Sequence, residues 1–217
     1  MDTKVRINIG CGQTPTTGWR NFDNSLSLRL AKIPLLPKLL YKGKLLEGSQ
    51  YQFIQFAKSN QIEYGDATKG LPISSGSVDV LYGSHMFEHL DKTEAKLFLK
   101  EARRVLRSGG IIRLSVPDLR RQVQKYVEFG DADAFIASTH LCESTPKTIM
   151  QRLRILIVGT RHHKWMYDGP SIVRLLSSMG FKEPRLLPAG TTMIPKPGEL
   201  NLFEKKDESV YLEAFNP

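Results

Sequence analysis

The sequence predicts a doubly wound α/β domain, a mostly parallel sheet with helices on both faces. Three observations carry this. Short apolar runs recur along the chain, most of them closing on glycine or an acidic residue. The stretches between them are long crossings or show helical periodicity, and polar or flexible positions fall just after the runs. Strands that alternate with crossings imply parallel pairing with both faces covered, and such sheets bind ligands beyond the carboxyl ends of their strands. At 217 residues, 41% hydrophobic and 24% charged, the chain is long enough for one well-buried domain. The reading is a single domain over 1–217 with a broken helical lid at about 26–60.

KVRINIG (4–10) is a strand ending in glycine, and WRNFDN (19–24) is a second, ending at an acidic residue. From Leu26 to Leu46, leucines interleave with Arg29, Lys32, Lys38, Lys42 and Lys44, while Pro34 and Pro37 forbid one uninterrupted helix. Residues 47–59 add a helical turn or two, and QIEYGD (61–66) is a third strand with Asp66 just past its end. SVDVLYGS (77–84) is a fourth, largely apolar strand. Asp91 followed by Glu94 fits a capping box, so a helix spans 91–107. Its Ala95, Phe98, Leu99, Ala102, Val105 and Leu106 share one face, and Gly109-Gly110 stop it. IIRLSVP (111–117) is a fifth strand, and helical segments run from about 118 to 158. SIVRLLSSMGF (171–181) is a late helix closed by Gly180, and SVYLEAF (209–215) alternates like a final strand.

Composition excludes several classes. Two cysteines, Cys11 and Cys142, are too few for a disulfide framework or a four-cysteine zinc site. MDTKVRINIG runs straight into an apolar strand, and no apolar run approaches the roughly 18 residues of a membrane span. A cytoplasmic protein is expected. The net charge of +9 is spread along the whole chain and accompanies no nucleic-acid module. It reads as a basic surface, with no nucleic-acid partner expected.

NIGCG (8–12) puts two glycines where backbone must turn sharply and approach a ligand closely. Asp23 ends the next strand, where a carboxylate can accept from both hydroxyls of a ribose. A tight turn and a solvated strand end are the alternatives without a ligand. A dinucleotide fingerprint would continue into a helix whose N-terminus holds a pyrophosphate. Here Pro15 stands in the third position and Asp23 follows Gly12 too closely for a helix between them. A cofactor with ribose and adenine but no phosphate fits better, and S-adenosylmethionine is the candidate.

NIGCG, GWRNFD, GDATKGLPISSGSVDVLYGSHMFEHL and EARRVLRSGGIIRLSVPDL, in that order, resemble the class I S-adenosylmethionine-dependent methyltransferases. The short first crossing, SHMFEHL and HKWMYD resemble, more narrowly, small methyltransferases associated with cell-envelope polysaccharide synthesis. The resemblance implies a seven-stranded Rossmann-like fold. It also implies a loop of Gly10, Cys11 and Gly12 under the methionine half of the cofactor, with Asn8 where the family usually has an acid. Asp23 would bind the ribose, Asp66 with Ala67 would face the adenine, and Ser84 and His85 would lie near the methionine end and the acceptor.

SHMFEHL also carries His85, Glu88 and His89 in H-x-x-E-H spacing, the pattern of an inverted zinc-protease motif. If the helix starts at Asp91, residues 85–89 form a turn in which i and i+4 need not face the same way. No metal is therefore expected, and His89 reads as a structural histidine. Methyl transfer to a hydroxyl needs a base, and a histidine that is mostly neutral at pH 7 suits. His85 is the first candidate and His163 the second. RHHKWMYDGP (161–170) adds Trp165 and Tyr167 as an aromatic wall for the acceptor, or else an anchoring turn in which Asp168 caps the next helix. The expected function is O-methylation of a small-molecule, sugar or lipid-linked acceptor, with peripheral membrane contact possible through the lid. A non-catalytic cofactor-binding protein is the alternative, and a zinc hydrolase a remote one.

Overall fold

The apolar runs become β1 (Arg6–Ile9), β2 (Arg20–Asp23), β3 (Glu63–Tyr64), β4 (Val78–Ser84), β5 (Leu106–Pro117), β6 (Lys182–Leu187) and β7 (Ser209–Phe215). The computed structural model describes residues 4–46, 48–142, 148–149 and 162–217. All seven strands form one sheet in the order β3-β2-β1-β4-β5-β7-β6. Pairing is parallel from β3 through β5, while β7 runs antiparallel to both β5 and β6. The chain thus winds outward from β1 to β3 and returns to β4 on the other side of β1. This is the switch in strand order at which such sheets open a crevice. The expected doubly wound, mostly parallel sheet is what the chain forms.

The helices among the described residues are α1 (Leu26–Ala31), α2 (Leu36–Lys42), α3 (Gly48–Ser59), α4 (Lys92–Val105), α5 (Leu119–Phe129), α6 (Ala132–Thr139) and α7 (Gly169–Ser178). None is long and apolar enough to cross a membrane. The break between α1 and α2 contains Pro34, and Pro37 sits in the first turn of α2, where its missing N–H costs nothing. The Asp91 and Glu94 capping box opens α4 as its sequence requires.

Several expectations are corrected. The third strand is only two residues long, and α3 runs for 12 residues rather than a turn or two. The helix from Asp91 stops at Val105, because Leu106 already has extended backbone (φ −67°, ψ 133°) and begins β5. Gly109 and Gly110 lie inside that strand. A Cβ on Gly110 would sit 2.9 Å from the Arg107 carbonyl oxygen, so these glycines permit an irregular strand start instead of ending a helix. β6 follows α7 unannounced by any apolar alternation. The parts of the span 118–158 at 143–147 and 150–158 lie outside the described residues.

One face of the sheet holds the main core. Ile7, Ile9, Leu81, Ile112, Leu114, Val116, Leu212 and Ala214 pack there against Ala95, Phe98, Leu99, Ala102 and Val105 of α4 and Ile172 and Leu176 of α7. Full burial of a side chain of this kind contributes roughly 1.5 to 3 kcal/mol. The other face carries a smaller cluster, in which Val80, Tyr82 and Ile111 meet Trp19 and the loop residues Ile194 and Leu200.

That second face also buries an ion pair. Arg113 of β5 and Glu213 of β7 are register partners, each fully buried, and are joined directly. Glu213 also accepts from the Thr192 hydroxyl and the Met193 N–H, and Arg113 donates to the Thr191 carbonyl. The pair therefore ties the β6–β7 connection to the sheet. Removing one partner of a buried pair leaves an uncompensated charge and costs about 3 to 5 kcal/mol. Glu213→Ala should lower the unfolding free energy in urea by that amount, whereas converting both residues to apolar side chains of similar volume should cost much less.

Candidate active site

The first turn of the chain is set by two constraints on glycine. Gly10 has φ +69°, and a Cβ there would lie 2.6 Å from the Met86 Cβ, so the loop after β1 can press against the turn after β4 only without a side chain. Gly12, at φ +49°, has no atom within 4 Å of the position of a Cβ and leaves open space in front of the backbone. Asp23, at the end of β2, accepts from the Gly12 N–H at 3.1 Å and from the Ser25 N–H at 2.8 Å. Each carboxylate oxygen keeps a lone pair for a further donor.

The carboxyl ends of β1 to β5 open onto a cleft of about 1220 Å³. It brings together Gly10, Gly12, Asp23, Asp66, Ala67, His85 and His163, drawn from five separate places in the chain. Ser25, Ser27, Ser49 and Phe53, from α1, α3 and the residues just before them, form one wall. Asp66 accepts from the Thr68 N–H and hydroxyl and from Lys69. Burial alone would raise its carboxyl, but these donors together outweigh it and hold Asp66 below the usual carboxylate range.

Five of the expected site residues do not line the cleft. Asn8 is buried on the opposite face, donating to the Thr14 carbonyl and the Thr16 hydroxyl. Its work is to brace the short crossing from β1 to β2, together with Asn21, which pairs with the Thr16 backbone in both directions. Cys11 is buried beside the loop. Burial first, and then the Asp23 charge, push its thiol up to about 12, so it stays protonated. Ser84 ends β4 beside the cleft without lining it. Trp165 stacks under the Lys92 ammonium, at 4.0 Å from the ring centroid. Tyr167 packs on Phe87 in the core, and its hydroxyl is pushed up to about 12, by burial first and then by Glu88. The expected aromatic wall is thus absent from the cleft, whereas Asp168 does cap α7, in a capping box with Ser171.

His85 sits where β4 ends, with φ +48°. A non-glycine residue in this region carries roughly 1 to 2 kcal/mol of strain, held here by the hydrogen bond from its N–H to the Ser115 carbonyl. Its Nε2 lies 2.8 Å from Ser209 Oγ, and its Nδ1 lies 3.5 Å from both Lys205 Nζ and Glu88 Oε1. Lys205 and Ser209 were not foreseen. β7 is antiparallel, so its first residue, and not its last, meets His85, and no local pattern announces that.

His163 reaches the cleft from a segment strapped to the 3-10 turn Phe87–His89 (η1), since the Lys164 and Trp165 N–H groups both donate to the Glu88 carbonyl. Its Nδ1 is 2.8 Å from the Thr139 carbonyl. Burial lowers its imidazole below the ordinary histidine value by more than neighbouring Glu88 raises it.

This donor set suits an adenosyl cofactor. Two carboxylates and an open glycine backbone converge on one cleft, and no helix begins between β1 and β2 to anchor a pyrophosphate. Asp23 with the Gly10–Gly12 loop, and Asp66 with Ala67, are the residues that would hold it. Residues 7–114 match the family model described as a methyltransferase domain. No curated protein matches the chain in sequence. A structure from Thermotoga maritima, described as a SAM-dependent methyltransferase and possible histamine N-methyltransferase, shares the fold at 13% identity and a TM-score of 0.50. The match covers 100% of this chain and 84% of that one. A SAM-dependent methyltransferase from Methanosarcina mazei does so at 15% identity and a TM-score of 0.51, over 100% of this chain and 94% of its own. Residues 7–114 thus match a methyltransferase domain, and the chain over its whole length takes the fold of these S-adenosylmethionine-dependent methyltransferases.

Proposed function

We propose that the protein methylates a hydroxyl group of a sugar or a lipid-linked sugar, with His85 as the base. When bound, S-adenosylmethionine supplies an electrophilic methyl group on a sulfonium. The single observation behind the reading is the place of His85, at the strand end between the glycine loop and the polar wall of the cleft. Ser209 steadies the ring through Nε2, and a base within reach of the acceptor contributes about 10² to 10⁴ in rate. His163 is less suited, because its Nδ1 is committed to a backbone carbonyl.

The acceptor class rests on the character of the wall. Arg121, Gln122, Lys125, Lys205, Asp207 and Glu208 line the cleft beyond His85, a surface that matches a polyol better than a hydrocarbon chain. The lid supports an amphiphilic carrier behind that sugar. Leu35 and Leu39 are 73% and 63% exposed and stand among Lys32, Lys38 and Lys42, the composition of a segment that rests on an anionic bilayer surface.

Two measurements test this reading. By calorimetry, Asp23→Ala should weaken S-adenosylmethionine binding roughly 10- to 150-fold, the equivalent of one charge-assisted hydrogen bond; unchanged affinity would remove Asp23 from the site. In turnover assays with sugar and lipid-linked sugar acceptors, His85→Ala should lower kcat about 10²- to 10⁴-fold with cofactor affinity retained. Equal turnover by the variant and the parent would sink the histidine-base reading.

A further inference from the structure

Glu88 is the most unusual charged group in the molecule. It is 1% exposed, yet among the described residues neither of its carboxylate oxygens accepts a hydrogen bond. A buried carboxylate left without donors is costly, on the order of several kcal/mol. Its backbone is well used, accepting from Lys164 and Trp165, so the side chain is not there merely to satisfy the turn.

What surrounds that carboxylate has the chemistry of a ligand set. His89 and His163 each offer a ring nitrogen, and these atoms and a Glu88 oxygen all lie within 4.8 Å of one another. The two rings meet edge to face with centroids 5.0 Å apart. Each histidine also has its Nδ1 on a backbone carbonyl, His89 at 3.0 Å from that of His162 and His163 at 2.8 Å from that of Thr139. A carbonyl can only accept, so both Nδ1 atoms carry the proton and both Nε2 atoms present lone pairs. For His163 that lone pair lies 3.8 Å from Glu88 Oε1. The His163 lone pair facing a buried carboxylate, with a ring nitrogen of His89 beside them, is an unfavourable gathering unless a cation lies between them. Fixing the tautomer of a ligating histidine through a backbone carbonyl is what metal sites do around their first ring of ligands.

We infer that Glu88, His89 and His163 form a binding site for a divalent first-row transition ion at the acceptor end of the cleft. Two imidazoles and one carboxylate are the donor set of zinc and iron sites that keep positions open for substrate. A tetrahedral ion holds its ligands roughly 3.3 to 3.5 Å apart, so the three side chains would close in by about an ångström. His89 and His163 line the cleft, and an ion there would face it, polarising an acceptor oxygen and lowering the pKa of its hydroxyl. That role rests on the methyl-transfer reading above; the site itself does not. The H-x-x-E-H spacing pairs His85 with His89, and from the sequence no metal is expected there. The fold instead groups Glu88 and His89 with His163, and holds His85 beside them, its Nε2 on Ser209 and its Nδ1 3.5 Å from Glu88 Oε1.

The test uses the full chain, stripped with chelator and titrated with Zn2+, Mn2+ or Co2+. One equivalent should bind per chain, with the Co2+ form developing visible d–d absorption. Glu88→Gln and His163→Ala should each weaken binding at least 100-fold, while His85→Ala keeps the metal. Melting temperature guards against misfolded variants. The ion should raise it in the parent and not in Glu88→Gln, whereas in the absence of a site Glu88→Gln would simply be the more stable protein with or without metal. No stoichiometric uptake, or uptake that survives both ligand substitutions, overturns the assignment. Calorimetry of S-adenosylmethionine on the stripped parent keeps the two readings separate, because cofactor binding there stands or falls independently of the metal.

Discussion

The backbone hydrogen bonds that join β2, β1, β4 and β5 align Ile9 with Phe22 and with Gly83, Gly83 with Leu114, and Ser84 with Ser115. The ends of β2, β1 and β4 thereby finish within one residue of one another, while β5 runs three residues past the level of Ile9, and the residues at these ends are delivered to the same rim. Gly10, Asp23 and His85 owe their proximity to this register and to nothing in their own side chains. The alternation of the pleat makes the register strict. A slip of one residue in β4 would send Leu81 out of the main core and Tyr82 into it, so the burial of the sheet and the assembly of the cleft are one constraint.

The same sheet carries an unusual join. Parallel neighbours are ordinarily linked by a crossover of a dozen or more residues, usually a helix, yet β1 and β2 pair in parallel across a loop with none. Side-chain amides take over the task of a helix there. Asn8 and Asn21 satisfy the backbone and hydroxyl groups of residues 14–19 from within the fold. Asparagine at position 8 is explained by that network and has no contact with the cleft. The wall that a crossover helix could have supplied comes instead from α1 and α3.

Local signals carried much of this in the sequence. The capping box at Asp91, the apolar face of α4 and the strand-ending acids at 23 and 66 each depend on residues a few positions apart, and each is where the pattern put it. What depended on distance was hidden. β6 is an edge strand with mostly exposed side chains and Pro184 within it, recruited by backbone pairing to β7 and not by apolar alternation. Tyr167 has the composition of a binding residue but is drawn into the core by Phe87. The meeting of Glu88 with His163 depends on Lys164 and Trp165 docking on the η1 turn, a contact that no spacing rule anticipates. Gly109 and Gly110 misled for another reason. A glycine pair after a helical face reads as a stop, and here the chain had already left the helix at Leu106.

One strand runs against its neighbours, and the chemistry of the cleft is partitioned because of it. Everything contributed by the parallel strands arrives where a strand exits, and these exits carry the glycine loop, both acids and His85. β7 contributes where it enters, so Lys205, Asp207, Glu208 and Ser209 reach the same rim from the last loop of the chain. That loop is pinned at its base by Tyr82 and Tyr211, whose hydroxyls both hold Glu204, and it shares no strand with the residues around Asp23 and Asp66. The residues around Asp23 and Asp66 and those of the last loop therefore lie in separate, non-overlapping passages of the gene. Selection can redraft the second, residue by residue, while the first is inherited intact.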